Sequence, residues 1–532
     1  MLVIGGGITG AGVAREAAMR GLRTALVEAR DLASGTSSRS SRLVHGGLRY
    51  LEQGRLRLVH ESLRERRILM HIAPHLVRPL PFLFPVHRNG RVSFWKLAAG
   101  MWLYDTLALF RNVRGHRMLG KRGVLRREPM LRERELAGGA VYWDAQCDDA
   151  RLVVATARGA QAHGAAIATY AEAVELVRAD GRVGGARLRD ALTGETALAR
   201  AHAVVNATGP WTDRLRHMED PSARPILQPT RGSHVVLPRE RIGHREALTL
   251  TSPLDGRVIF ILPMGAALSY VGTTDTDSNE APEAVTASEN DVVYLLRSVN
   301  AYFPNARLTE NDVLATWSGL RPLLAPQDGL PESARTREHV ILTGPGGLIT
   351  VTGGKLTTYR VMAREAVEAV VKVLRARDGR PAPRDALTDL TALPGGEARD
   401  LDPIRRQGLD LDLAEPIVEH LLSLYGTEAA AVFNLVREER SLARAIHPGH
   451  PAIAAEVLHV GRRELVRTVE DVLVRRIHLA WETADGGAAA AAETAALLGR
   501  ELGWDAETVR ERAGAYRAPG GAGVRAGGAA DR

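Results

Sequence analysis

Apolar and polar positions follow different rhythms along this chain, and each rhythm predicts its own kind of element. At the start, the run Leu2-Val3-Ile4 meets a glycine-rich stretch, after which Val13, Ala14, Ala17 and Ala18 recur on one helical face. Gly21 stands where a helix C-cap belongs, and Thr24-Ala25-Leu26-Val27 reads as a second strand ending at Glu28. Alternation in Arg257-Val258-Ile259-Phe260-Ile261-Leu262 and in Ser269-Tyr270-Val271-Gly272 agrees with strands further on. A helix is expected from near Thr357. From about residue 388 the pattern turns helical, as in 417–424 and 465–479, and 480–499 is rich in alanine. The end of the chain, 518–532, has glycine and alanine without apolar anchors and is expected to be disordered. No internal repeat is visible.

The junction of the first strand and helix carries chemistry. Gly5-Gly6-Gly7-Ile8-Thr9-Gly10 has the Gly-x-Gly-x-x-Gly spacing, and Glu28 follows about 20 residues later. Gly5 permits the tight turn, Gly7 lets the backbone approach a pyrophosphate, and Gly10 lets helix and strand pack closely. The helix N-terminus offers unpaired N–H groups to phosphate, and Glu28 can accept from a ribose. A dinucleotide is therefore expected, although this motif does not separate FAD from NAD. Beyond it lies a hydroxyl-rich loop, Ser34-Gly35-Thr36-Ser37-Ser38-Arg39-Ser40-Ser41, able to serve further phosphate or a ribityl chain. A plain polar loop would have the same composition.

Composition narrows the class. The 532 residues suggest about three domains, and 45% hydrophobic residues suffice for packed cores. Cys147 is the single cysteine, so no internal disulfide forms. The start lacks a signal-peptide pattern, and no apolar run reaches the roughly 20 residues of a membrane span. The expectation is a cytoplasmic protein, either soluble or peripheral on the cytoplasmic face of the inner membrane. The net charge of +8 comes from 70 basic residues, of which only Lys96, Lys121, Lys355 and Lys372 are lysines. The arginines are scattered rather than arranged in a stripe, so nucleic acid is not an expected partner. Phe94 to Phe110 is rich in Trp, Leu and Phe and precedes Arg111, Arg114, Arg117, Lys121 and Arg122. That pairing suits a membrane surface; a buried helix would read the same way.

One ordered set of motifs is more specific. Ser40-Ser41-Arg42-Leu43-Val44-His45-Gly46-Gly47-Leu48-Arg49-Tyr50-Leu51-Glu52 strongly resembles the FAD-dependent (respiratory, aerobic-type) glycerol-3-phosphate dehydrogenase family. The likeness continues through Asp148 to Leu152, Val205 to Trp211, Gly232-Ser233-His234, Gly272 to Asp275, Ser318 to Pro322 and Gly353 to Arg360, and more weakly through Thr468 to Arg476. Family members usually carry a few residues before the first strand, inside which this chain begins.

The resemblance implies an α/β fold with a doubly wound, Rossmann-like FAD-binding domain. To this it adds an antiparallel-sheet substrate domain of the D-amino-acid-oxidase type and a C-terminal helical domain. The expected divisions are 1–70, 140–215 and 335–385 for the discontinuous FAD domain, 71–139 and 216–334 for the substrate domain, and 388–517 for the helices. It implies oxidation of sn-glycerol 3-phosphate to dihydroxyacetone phosphate by hydride transfer to flavin, with a membrane quinone as acceptor. A homodimer stays an open assembly state. Oxygen as acceptor, an amine or amino-acid oxidase on the same fold, and a non-catalytic flavin binder are the competing readings. Oxidases of the family carry an inserted segment that this chain lacks.

By the same resemblance, Gly5, Gly6, Gly7, Gly10 and Glu28 hold the nucleotide. Thr36, Ser37, Ser38, Gly46, Gly47, Thr208, Gly209, Gly354, Lys355, Leu356 and Thr357 complete the cofactor site. Arg49, Arg321 and Arg337 are expected to bind phosphate through forked donors, with Tyr50 adding a hydroxyl. Lys355, kept as lysine in a chain that writes arginine almost everywhere, could hold phosphate or steady reduced flavin. It does not belong to a P-loop, since Leu356 replaces the required Ser or Thr. His234 is the leading candidate for removing the alcohol proton, and an arginine-assisted route stays open. His71 and His75 have metal-ligand spacing, but Pro74 between them breaks the helix such a pair needs. No metal is expected.

Overall fold

The computed structural model describes residues 1–325, 338–379 and 384–519. Its first layer is a six-stranded sheet in the order His339–Thr343, Ile349–Gly353, Val204–Asn206, Leu2–Ile4, Ala25–Val27, Ala166–Ala168. All neighbours pair in parallel except the edge strand His339–Thr343. The central strands are short and fully buried because both faces are covered, as parallel sheets require.

The helix Ile8–Met19 crosses between the first two strands and is sandwiched by helices Asp149–Gln161 and Tyr359–Asp378. Burial therefore extends past the predicted face of Val13, Ala14, Ala17 and Ala18 to Arg15 and Glu16. Arg15 is accommodated by donating to the carbonyls of Thr388 and Thr391 at 3.2 and 2.7 Å. Gly21 takes the left-handed φ of +86° expected after a helix end.

A second, 10-stranded sheet packs beside the first. It is antiparallel apart from one parallel contact between Val77–His87 and Ala247–Thr251. The two strands predicted by alternation form here as Val258–Met264 and Leu268–Gly272 and pair with each other. Leu136–Cys147 also belongs to this sheet, paired along its length with Val77–His87. The chain thus returns to the nucleotide layer at Asp148, the N-cap of helix Asp149–Gln161, and not at residue 140.

Helices from Asp402 to Ala515 form the C-terminal unit, including the expected Glu415–Tyr425. The stretch 465–479 is not one helix: Val469–Arg475 is capped by Thr468 and Asp471 and ends before His478, which is left-handed with φ +61°. Of the tail expected to be disordered, 520–532 lies outside the described residues. Cys147 is buried. Among the described residues no helix is long and apolar enough to cross a membrane.

Candidate active site

The turn after the first strand is built from close backbone approaches. A Cβ on Gly10 would lie 1.8 Å from the carbonyl oxygen of Gly5, and Gly5 itself has φ +112°. Gly7 is the N-cap of Ile8–Met19, and the Ile8 N–H donates to Ser37 Oγ at 3.0 Å, bringing the hydroxyl-rich loop against the helix N-terminus. Glu28 accepts from the Gly6 and Arg30 N–H groups at 2.6 and 3.0 Å and from Ser34 Oγ at 3.4 Å. Burial pushes its carboxyl up, and the two backbone donors oppose that. Its remaining lone pairs are available to ribose hydroxyls.

From this turn a cavity of about 1240 Å³ runs between the two sheets. Ordinary ligand sites hold about 300–1,000 Å³, so there is room for a dinucleotide and a small substrate together. Gly5, Gly7, Glu28, Thr36 and Ser37 line it at one end. Thr208 and Gly209 follow Ala207 beside Gly5 at that end, and Gly47, Gly354, Leu356 and Thr357 line the cavity with Arg49, Arg321 and Lys355.

Other expected site residues stand behind the wall. Gly6, Gly10, Ser38, Gly46, Tyr50 and His234 do not line the cavity. Gly6 and Gly10 act through the fold of the turn. The Gly46 N–H points away, to Tyr104 Oη at 3.0 Å and Asp144 Oδ1 at 3.1 Å. Asp144 is itself held by Arg66 and Tyr104, so a buried cluster fixes the His45-Gly46-Gly47 turn. Tyr50 is buried, with its ring 3.9 Å from Lys355 Nζ and its hydroxyl accepting from Arg49 at 3.2 Å. It therefore packs against two cations, Arg49 and Lys355. Arg337 lies outside the described residues.

His234 departs most from expectation. Its ring stacks on Trp317 at 5.0 Å with a 15° interplanar angle, and its Nε2 is 2.9 Å from Ser41 Oγ. Burial, with Arg321 and Arg42 nearby, holds it well below the ordinary histidine range and hence neutral. It reaches the cavity only through Ser41, which does line it. The imidazole that lines the cavity directly is His45, within the quoted His-Gly-Gly motif. Arg39 of the hydroxyl-rich loop lines it as well. Arg321 is held by Asp275 at 3.0 Å, Thr273 Oγ1 at 2.8 Å and the Thr274 carbonyl at 3.1 Å. Among the described residues no His, Cys, Asp or Glu group is arranged to hold a metal.

Residues 1–360 match the family model described as FAD dependent oxidoreductase, and 386–509 match the C-terminal domain of alpha-glycerophosphate oxidase. The glycerol-3-phosphate dehydrogenase of Mycobacterium leprae is 39% identical over 524 residues, covering 97% of this chain and 87% of the relative. This chain belongs to the FAD-dependent glycerol-3-phosphate dehydrogenase family. The human mitochondrial glycerol-3-phosphate dehydrogenase is 38% identical over 523 residues, covering 95% and 71% of the two chains. A solved glycerol-3-phosphate dehydrogenase from Bacillus halodurans, complexed with FAD, superposes with a TM-score of 0.80 at 32% identity. It covers 96% of this chain and 92% of that one. The family's cofactor is FAD, and the glycine turn, Glu28 and the oversized cavity fit it.

Proposed function

We propose that this protein oxidises the secondary alcohol of sn-glycerol 3-phosphate to dihydroxyacetone phosphate and passes the electrons to a membrane quinone. The observation that carries the reading is that Arg49, Arg321 and Lys355, far apart in sequence, face one cavity that begins at the nucleotide turn. A phosphate dianion in that cavity gains charge-assisted bonds worth about 1.5–3 kcal/mol each. Asp275 and Thr273 hold the Arg321 fork, and the Tyr50 ring faces Lys355, so little side-chain freedom is lost on binding. FAD, when bound, supplies the hydride acceptor. His45 takes the hydroxyl proton, and the neutral His234 holds the Ser41 hydroxyl on the cavity wall.

The membrane reading rests on helix Phe94–Leu107. Leu97, Met101 and Tyr104 are buried, while Trp95 is 80% and Trp102 62% exposed, and Phe110 just beyond is 67% exposed. Arg111, Arg114, Arg117, Lys121 and Arg122 follow, all exposed. Apolar and basic residues side by side suit an anionic bilayer surface. Leu97 and Leu103 of the same helix line the cavity with Phe84 and Phe260, giving it an apolar end beneath that surface where a quinone can enter.

The test is anaerobic addition of sn-glycerol 3-phosphate to FAD-loaded protein. Bleaching of the visible flavin absorbance, reversed quickly by a quinone analogue and slowly by air, is expected. Flavin that stays oxidised rules out the substrate, and rapid reoxidation by air rules out the quinone assignment.

A further inference from the structure

The cavity wall is not made by the nucleotide and substrate layers alone. Thr468, Glu470, Arg475, Tyr516 and Arg517 of the C-terminal unit line it too. The same unit grips the loop that carries Glu28. Three residues after Glu28, Asp31 has both carboxylate oxygens taken by it. Arg475 Nε donates to Oδ2 at 2.6 Å, and Arg476 donates to Oδ2 and Oδ1, each at 2.8 Å. Asp31 and Arg476 are 0% exposed.

Around this clasp each charge meets an opposite one. Arg475 also meets Asp471 at 2.7 Å, Arg476 meets Glu464 at 3.2 Å, and Glu464 meets Arg151 of helix Asp149–Gln161 at 2.5 Å. The loop past Asp31 supports the nucleotide turn: Ala33 N–H donates to the Gly6 carbonyl at 3.1 Å, and Ser34 Oγ donates to Glu28 at 3.4 Å. If the C-terminal unit shifts, Asp31 becomes a buried charge without a counter-charge. The loop must then move to hydrate it, and Glu28 moves with the loop.

We infer that the C-terminal helical unit is part of the cofactor site, with Asp31, Arg475 and Arg476 acting as positioning residues that couple its docking to FAD binding. The inference rests on the reading that the Gly7–Glu28 end of the cavity takes the nucleotide half of FAD. The coupling is reciprocal: whatever factor docking adds to FAD affinity, FAD adds to docking.

The test is the dissociation constant of FAD, read by flavin fluorescence quenching on deflavinated protein, for wild type, Asp31→Asn, Arg476→Met and Arg158→Met. Neither Asp31 nor Arg476 lines the cavity. Arg158→Met is the control, breaking a different contact with the C-terminal unit, to Glu428 at 2.7 Å. The first two variants are expected to weaken FAD at least tenfold and the control by less than threefold. Equal weakening in all three, or none in any, overturns the coupling. Wild-type protein that takes up no FAD overturns the cofactor reading itself. Should the variants fail to fold, hydrogen exchange of the wild type decides. FAD is expected to slow exchange across 468–476, and unchanged exchange there overturns the proposal.

Discussion

Lowering the pH from 7 to 5 should cost this protein the stability contributed by several histidines that are buried in their neutral form. Burial pulls His75 down to about 3, with Arg151 and Arg78 adding to it, and pulls His244 and His459 down to about 4. In the unfolded chain each returns to an ordinary value near 6.5. Between the folded and unfolded values the unfolded state binds the extra proton. Stability is therefore full above about pH 6.5, falls as pH drops, and levels off only near the folded value. At pH 5 the interval is about 1.5 units at about 1.4 kcal/mol each, or about 2 kcal/mol per histidine. Three such groups cost about 6 kcal/mol, against a typical domain stability of 5–15 kcal/mol.

Other groups work the other way: Glu456 raises the His420 ring despite burial, and burial pushes the Glu128 carboxyl up to about 7, so both add stability as pH falls. The comparison that isolates the effect is therefore wild type against His459→Phe. The His459 ring packs edge-on to Tyr425 at 5.0 Å, and its Nε2 has no hydrogen-bond partner among the described residues, so phenylalanine keeps the shape and removes the proton site. Thermal unfolding of FAD-loaded protein at fixed flavin concentration is the assay. The drop in melting midpoint between pH 7 and 5 should shrink in the variant by about 2 °C, which is about 2 kcal/mol over an unfolding entropy of about 1 kcal/mol/K for a chain of this length. Equal drops in both proteins would refute the reasoning.

The remaining predictions concern the site and the membrane. Lys355→Met should keep flavin bound yet lower kcat/KM for glycerol 3-phosphate by about 10–150-fold, the cost of one charge-assisted contact; kinetics within threefold of wild type would remove Lys355 from the site. His45→Asn should abolish most turnover and its pH dependence, while His234→Asn should act more weakly by loosening Ser41. The opposite ranking in stopped-flow flavin reduction would return the base to His234. Trp102→Glu should cut binding to anionic vesicles at least tenfold in a flotation assay and leave reduction by substrate unchanged; undiminished flotation would place the membrane surface elsewhere.

What the sequence revealed and what it hid follow from how local each constraint is. The glycine turn was legible because Gly5 and Gly10 meet each other within one turn, so their spacing is dictated by backbone contact alone. Tyr50, His234 and Gly46 were placed by their motif neighbours, and a motif gives proximity in sequence without saying which side of the wall a side chain takes. On strand Thr230–Pro238, His234 turns toward Trp317 and away from the cavity, a choice made by a partner strand. The Asp31–Arg475 clasp joins residues 444 positions apart. Each looks like an ordinary solvated charge in its own segment, so no local pattern announces the pair.

Lys355, one of only four lysines, shows composition and geometry answering each other. In a chain whose basic positions are nearly all arginine, codon bias explains the rule and structure must explain the exception. Lys355 Nζ sits 3.9 Å from the Tyr50 ring centre, within 3.4 Å of Ser62 Oγ, and only 3.5 Å from where a Cβ on Gly47 would lie. A compact ammonium fits that pocket. A planar guanidinium, broader and with donors fanned in one plane, would press into the Gly47 backbone or leave the ring face. The same narrowness accounts for Gly47, which has φ +81° and whose own Cβ would lie 2.3 Å from the Tyr50 ring. Lysine at 355, glycine at 47 and the tyrosine between them are thus one solution to a single packing problem at the floor of the cavity.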